Sequence, residues 1–352
     1  MAERTARLPH EARRGAPSQA ASPAPRPVPQ RQRPRTFGAL DLGTNNCRLL
    51  IARARADGEL TIVDAFSRIV RLGEGLQASG KLSDASMDRA VEALRICADK
   101  LRRRGVHLSR AVATEACRQA SNGDAFVARV REETGIVLDI IGPGEEAKLA
   151  VGGCHALLEE GDGPALVFDI GGGSTELARV LDGEDGTHRI GHWMSMPWGV
   201  VSLAEAEPHD DKDPVAREKA YAGMKRRAAE ALHDFAGLVP GEPRELRLLG
   251  TSGTVTTLAS VHLGLPTYDR RQVDGCRVPT ESMRAICDDL AGKCVEDRAL
   301  VGCIGRERAD LVIAGCAILE AILDIWPAPR IGVADRGIRE GILRALIASQ
   351  GE

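Results

Sequence analysis

Short apolar runs alternate with longer stretches of helical period along this chain, the pattern of an α/β protein. Residues 37–42 and 48–54 read as a β-hairpin, with a third strand near 60–66. Over Asp84–Arg103, apolar residues at 87, 90, 91, 94, 97, 98 and 101 recur at helical spacing. One strand ends at Val112-Ala113-Thr114 and another covers 137–141. Gly142-Pro143-Gly144 breaks that strand, and a helix begins near Glu145 with Ala147, Ala150, Val151, Cys154, Leu157 and Leu158 on one face. After a second hairpin, a polar surface loop covers 205–217 and an amphipathic helix runs over about 215–238. A strand at 246–249, a nearly all-apolar buried helix at 311–325, a short strand at 330–333 and a last helix at Ile338–Ala348 complete the pattern.

The two hairpins resemble each other. Residues 165–177 run apolar into Asp169, turn through Gly171, Gly172 and Gly173, and leave through Ser174, Thr175 and Glu176. Residues 38–50 run apolar into Asp41, turn at Gly43 through Thr44, Asn45 and Asn46, and leave through Arg48. Asp41 to Arg48 and Asp169 to Glu176 span the same interval. A third small-residue loop follows the strand at 246–249 as Gly250, Thr251, Ser252, Gly253 and Thr254. Glycines permit positive φ and let backbone N–H groups approach an anion without a Cβ in the way. One such stretch reads equally well as a tight turn of polar residues, but three after three apolar runs point to a phosphate site. Two hairpins about 130 residues apart suggest two related α/β domains facing each other across a cleft. Asp169 and Glu176 offer hard oxygen ligands for magnesium, with Asp41 as a third.

Two further residues change the picture. Arg118, just past the strand at 112–114, reads either as a bidentate clamp on phosphoryl oxygens or as a salt-bridge partner. Glu145 and Glu146 lie in the first turn of their helix, where carboxylates complement the macrodipole or one of them acts as general base on water. Trp198 reads as a cleft wall or a core residue, and Arg270-Arg271 as steering charges or an exposed loop.

Composition bounds the alternatives. A length of 352 residues allows about two domains, and 43% hydrophobic with 28% charged residues describes a globular chain. Aromatics at 3% argue against a base-stacking surface for nucleic acid. The first 36 residues carry eight arginines against Glu3 and Glu11, a surplus of six positive charges, so the remainder of a chain of net charge −3 sits at −9. An acidic body that binds a polyanion needs focused basic residues or counterions. The Pro, Ala, Arg and Ser-rich stretch 1–36 has no apolar periodicity and is expected to be disordered. It lacks the apolar core of a signal peptide, and no segment has the length of a membrane span. Nine cysteines without a CxxC pair point to reduced thiols and a cytoplasmic location.

The ordered motifs DLGTNNCRLL (41–50), ATEACRQASN (113–122), GPGEEA (142–147), DIGGGSTE (169–176), GTSGT (250–254) and ADRGIREGIL (334–343) resemble those of the exopolyphosphatase / guanosine pentaphosphate phosphatase family. The resemblance covers about residues 37–345. It implies two duplicated ribonuclease-H-like domains of the actin, sugar kinase and heat-shock ATPase superfamily with an interdomain cleft. Domain I would comprise 37–143 plus 334–352, and domain II 144–333, in a short form without the further helical domain of longer relatives. By position in the motif, Glu146 would be the catalytic glutamate, with Arg118 beside it. Magnesium would assist hydrolysis of the terminal phosphate of inorganic polyphosphate, with guanosine pentaphosphate as a second substrate. The implied partners include neither membrane nor specific nucleic acid, and a homodimer is among the assemblies allowed. Two departures stand out: Gly-Pro-Gly precedes the glutamate pair, and Ser252 occupies a position where relatives usually carry glycine. A superfamily kinase passing the ATP γ-phosphate to a small molecule, and a non-catalytic nucleotide or polyphosphate sensor, are the rival readings.

Overall fold

A computed structural model describes residues 35–55, 60–158, 163–182, 188–239 and 246–350. The expected disordered tail lies almost wholly outside these residues, and Thr36 already belongs to the first strand. Among the described residues, eleven strands follow in chain order: β1 (Thr36–Leu42), β2 (Asn46–Ala54), β3 (Leu60–Ile69), β4 (Leu108–Ala113), β5 (Leu138–Ile140), β6 (Ala165–Ile170), β7 (Thr175–Asp182), β8 (His188–Met196), β9 (Arg247–Thr251), β10 (Arg277–Pro279) and β11 (Arg330–Ala334). They form a five-stranded sheet ordered β3-β2-β1-β4-β5 and a six-stranded sheet ordered β10-β11-β9-β6-β7-β8. Read from β3 and from β8, the two share one plan: an antiparallel meander of three strands, then two parallel strands. Such a repetition is what a duplicated fold requires.

The duplication extends to register. Asp41 pairs across its hairpin with Arg48, and Asp169 pairs with Glu176. Each turn closes alike, by Gly43 N–H donating to Asn46 O (2.9 Å) and Gly171 N–H to Ser174 O (3.0 Å). β1 and β6 are buried on both faces, as the unbroken apolar runs of 37–40 and 165–168 demand.

Two helices lie between the sheets. Pro143–Gly153 puts Leu149 into a core with Phe37, Leu50, Ile342 and Leu343, while Val151 and Cys154 join Ala165, Val167 and Val180 of the second sheet. Ile338–Ala348 crosses it with almost no separation. A Cβ on Gly341 would meet Leu149 O at 2.0 Å, and one on Gly153 would meet Gly337 O at 2.0 Å. These glycines are needed for close approach of backbones. The helix begins at Pro143, not near Glu145, because a proline at the first helical position loses no intrahelical hydrogen bond; Gly142 caps it. The largest core gathers around Val312–Ile325, buried along nearly its whole length. Among the described residues, no helix is long and apolar enough to cross a membrane.

The stretch expected as a third loop differs from its expectation. Gly250 and Thr251 extend β9, paired with Val333 and Ala334 on one side and with Phe168 and Asp169 on the other. The helix Ser252–His262 starts at once. Arg270 is no exposed loop residue: its guanidinium pairs with Asp335 (3.2 Å) and Glu340 (2.8 Å).

Candidate active site

The two hairpin turns and the β9–helix junction meet at one cavity of about 120 Å³. The first turn contributes Gly43, Thr44, Asn45 and Asn46, with Asp41 and Arg48 from the flanking strands. The second contributes Gly171, Gly172, Gly173 and Ser174, with Asp169 and Glu176. The turns touch each other. A Cβ on Gly172 would sit 2.9 Å from Thr44 Cβ, and one on Gly173 would sit 2.7 Å from Thr44 Oγ1. None of Gly43, Gly171, Gly172 and Gly173 has positive φ, so glycine serves here for contact between turns and not for left-handed backbone.

At the third wall stand Ser252, Gly253 and Thr254, in the first turn of an 11-residue helix whose positive end faces the cavity. Ser252 takes φ 90°, a left-handed value in a residue with a Cβ. Four buried oxygens on these walls have no hydrogen-bond partner: Asp41 Oδ1, Thr44 Oγ1, Asn45 Oδ1 and Ser252 Oγ. Buried polar atoms are almost always paired, so such a group around one cavity marks a place for a polar ligand. Three expected phosphate contacts do not line this cavity. Thr175 donates its hydroxyl to Trp198 O (2.7 Å), Thr251 donates to Arg336 O (2.6 Å), and Gly250 packs against the Phe168 ring.

The glutamate pair is separated by geometry. Glu145 turns outward to Arg110 (2.7 Å), whereas Glu146 is 5% exposed and lines the cavity. Arg118 Nη1 donates to Glu146 Oε2 (3.2 Å) and to Ile141 O (2.6 Å), and its other nitrogen pairs with Glu115. Arg118 is therefore not on the cavity wall: it holds two carboxylates that are. Burial, and then the neighbouring Glu176, push the Glu146 carboxyl well above the usual range, against the pull of Arg118. Glu176 rises to about 7 through burial and Asp169, although Ser174 and Ser195 donate to its Oε1 (2.7 and 2.8 Å). Burial lifts Asp169 to about 6, against Arg48 and Arg339, and raises Asp41 against the same two arginines.

A model of the Ppx/GppA phosphatase family matches residues 50–350. The chain belongs to that family. Exopolyphosphatase 2 of Mycobacterium tuberculosis is 34% identical over 292 residues, covering 81% of this chain and 88% of that protein. A putative exopolyphosphatase of Haemophilus influenzae is 28% identical, with 89% of this chain and 91% of that one covered. Among solved structures, the Aquifex aeolicus Ppx/GppA family member superposes with a TM-score of 0.74 at 27% identity, over 90% of this chain and 99% of its own. An exopolyphosphatase from Cytophaga hutchinsonii shares the fold with a TM-score of 0.81 at 24% identity, over 90% and 98%.

As a Ppx/GppA phosphatase the chain is a hydrolase, and its cavity has a charge problem to solve. Five carboxylates line it (Asp41, Glu115, Glu146, Asp169 and Glu176) against the guanidiniums of Arg48 and Arg308. The expected ligand trio Asp41, Asp169 and Glu176 is not a preformed shell. Among the described residues, the ligand atoms of Asp211, Cys294 and Glu296 are the ones that converge within 4.8 Å, and that cluster does not line the cavity. Asp211 is moreover engaged by Arg298 Nη2 (2.9 Å) and Val295 N–H (2.6 Å). Arg308 was invisible in the sequence, one cation in a polar segment ahead of an apolar helix; here Nη1 donates to Thr257 Oγ1 (3.0 Å) at the cavity wall. Trp198 does not line the cavity; it packs on the main core with the Arg227 guanidinium 5.7 Å over its ring.

Proposed function

We propose that this Ppx/GppA phosphatase is an exopolyphosphatase, removing the terminal phosphate of inorganic polyphosphate with water activated by Glu146. The observation that carries the reading is a buried carboxylate on the wall of a cavity whose other walls present unpartnered oxygens and a helix N-terminus. Phosphoryl transfer asks a protein to hold phosphates in line, neutralise charge and place the nucleophile. Holding falls to the hydroxyls of Thr44 and Ser252, which can donate, and to the charged forks of Arg48 and Arg308. Glu146 takes a proton from water as the water oxygen bonds to the terminal phosphorus. The bridging P–O bond breaks, orthophosphate leaves, and the shortened chain keeps the bridging oxygen on its new terminal phosphate. With its pKa raised by burial and by Glu176, Glu146 is, once deprotonated, a stronger base than an exposed glutamate.

The residues present fit a divalent cation. Asp41 keeps one carboxylate oxygen without a hydrogen bond, and carboxylates outnumber guanidiniums on the cavity wall, so added positive charge favours receipt of a polyanion. Asp41, Asp169 and Glu176 would hold magnesium through their carboxylate oxygens. The ion would supply charge neutralisation on the phosphoryl oxygens. Guanosine pentaphosphate offers the same terminal anhydride and is the second substrate in this reading.

The test supplies polyphosphate, guanosine pentaphosphate and ATP separately, with and without magnesium, and measures orthophosphate. Magnesium-dependent release from polyphosphate is expected. Turnover of ATP alone, and only with a small-molecule acceptor, would replace the hydrolase by a kinase.

A further inference from the structure

Among the described residues, two non-glycine positions have left-handed backbone: Ser252 and Arg71, the latter at φ 48°. Such conformations persist where the surroundings over-determine them. Ser252 belongs to the cavity wall, but Arg71 does not line it. What holds Arg71 is the first hairpin turn. Val70 N–H and Arg71 N–H both donate to Asn45 O (2.8 and 3.0 Å), and Gly73 N–H donates to Thr44 O (2.9 Å). The Arg71 carbonyl is fixed in turn by Arg89 Nη2 (3.2 Å). The segment 70–73 is thus fastened to Thr44 and Asn45, whose unpartnered side-chain oxygens border the cavity.

From this fixed backbone the side chain crosses to the other lobe. Arg71 Nη1 donates to Asp310 Oδ2 (2.8 Å), Nη2 donates to Asp310 Oδ1 (3.2 Å), and Nη2 also reaches Glu307 O (3.3 Å). Nearby, Gly75 N–H donates to Glu205 Oε1 (2.8 Å), a second crossing. Asp310 lies between Arg308 and Leu311, both of which line the same cavity as Thr44 and Asn45. One guanidinium therefore ties the Thr44–Asn45 wall to the Arg308–Leu311 wall.

We propose that Arg71 is a positioning residue whose two-pronged pair with Asp310 sets the separation of these walls, so that a phosphate held at Thr44 is also within reach of Arg308. The inference rests on the phosphate-site reading of the cavity. It needs a planar fork, which lysine does not provide. Side chains 32% and 37% exposed are screened by water, so the pair changes affinity by a factor of about 2–5 and not by orders of magnitude.

The full chain is compared as Arg71→Asn, Asp310→Ala, the double variant and the reversed pair Arg71→Asp with Asp310→Arg. Asparagine and aspartate tolerate the left-handed backbone, so the fold is kept, and a Tm within a few degrees checks this. Calorimetric titration with tripolyphosphate and the KM and kcat of orthophosphate release from polyphosphate are measured together. Each single variant should weaken tripolyphosphate binding and raise KM about fivefold, with kcat within about twofold, on the scale of such a pair. The double variant should be no worse than either single one, and the reversed pair should recover most of the loss. Tripolyphosphate coupling of this form in a chain that releases no orthophosphate would sink the hydrolase reading and leave the positioning role standing. Losses that multiply in the double variant, or an unchanged titration and KM in both single ones, would refute the positioning role whatever the chemistry.

Discussion

At φ 90°, Ser252 holds a backbone that glycine adopts freely, and it places an unpartnered hydroxyl on the cavity wall. Strain of this kind costs about 1–3 kcal/mol and clusters at functional sites. Ser252→Gly should therefore stabilise the fold by about 1 kcal/mol in thermal or urea unfolding while raising the KM for polyphosphate. Ser252→Ala separates the two effects: it keeps the strain, loses the hydroxyl, and should show the KM change without the gain in stability. An unchanged KM in Ser252→Ala would leave the hydroxyl idle. Other single residues were harder to read from sequence. Nothing local distinguishes Glu145 from Glu146; the family motif points to the second, and in the fold Arg110 draws the first outward while the second lines the cavity. Arg118 was readable as a phosphate clamp or an ion-pair residue, and the structure shows the ion pairs, to Glu115 and Glu146. Arg308 had no signal, because its position comes from how the segment before Val312–Ile325 folds against Thr257.

Elements were more legible than residues. Apolar runs ending on aspartate and turning through glycine sufficed to give both hairpins, and their common register confirms the likeness. Gly-Thr-Ser-Gly looked like a turn because each of its residues favours turns. The sheet overrode that preference by offering pairing partners on both sides of Gly250 and Thr251. The crossing of Pro143–Gly153 with Ile338–Ala348 could not be read at all, since it depends on glycines far apart in the chain. It carries a test of its own. Gly341→Ala would drive a methyl toward Leu149 O, 2.0 Å from the ideal Cβ position, and should cost about 1–3 kcal/mol of stability by urea unfolding. A variant as stable as the parent would mean that the two helices can separate without consequence, and that they do not fix Glu146 against the cavity.

Over the whole molecule, the acidic balance outside the first 36 residues reappears in the cavity as an excess of carboxylates over guanidiniums. Burial answers part of it by raising the pKa values of Asp41, Glu146, Asp169 and Glu176. A base must be deprotonated to act, so activity should fall as pH drops through those raised values, above the range where exposed carboxylates titrate. The fold, its duplication and the meeting of three phosphate-type segments were readable because they are written in periodicity and repetition. The charge balance of the cavity was not, because it depends on which side chains the two lobes turn inward.

The most direct measurement is the turnover of Glu146→Gln beside its affinity for tripolyphosphate. Loss of a general base at this position should lower kcat by about 10²-fold or more while the polyphosphate still binds. Turnover equal to that of the parent would place the activating group elsewhere and contradict the central claim.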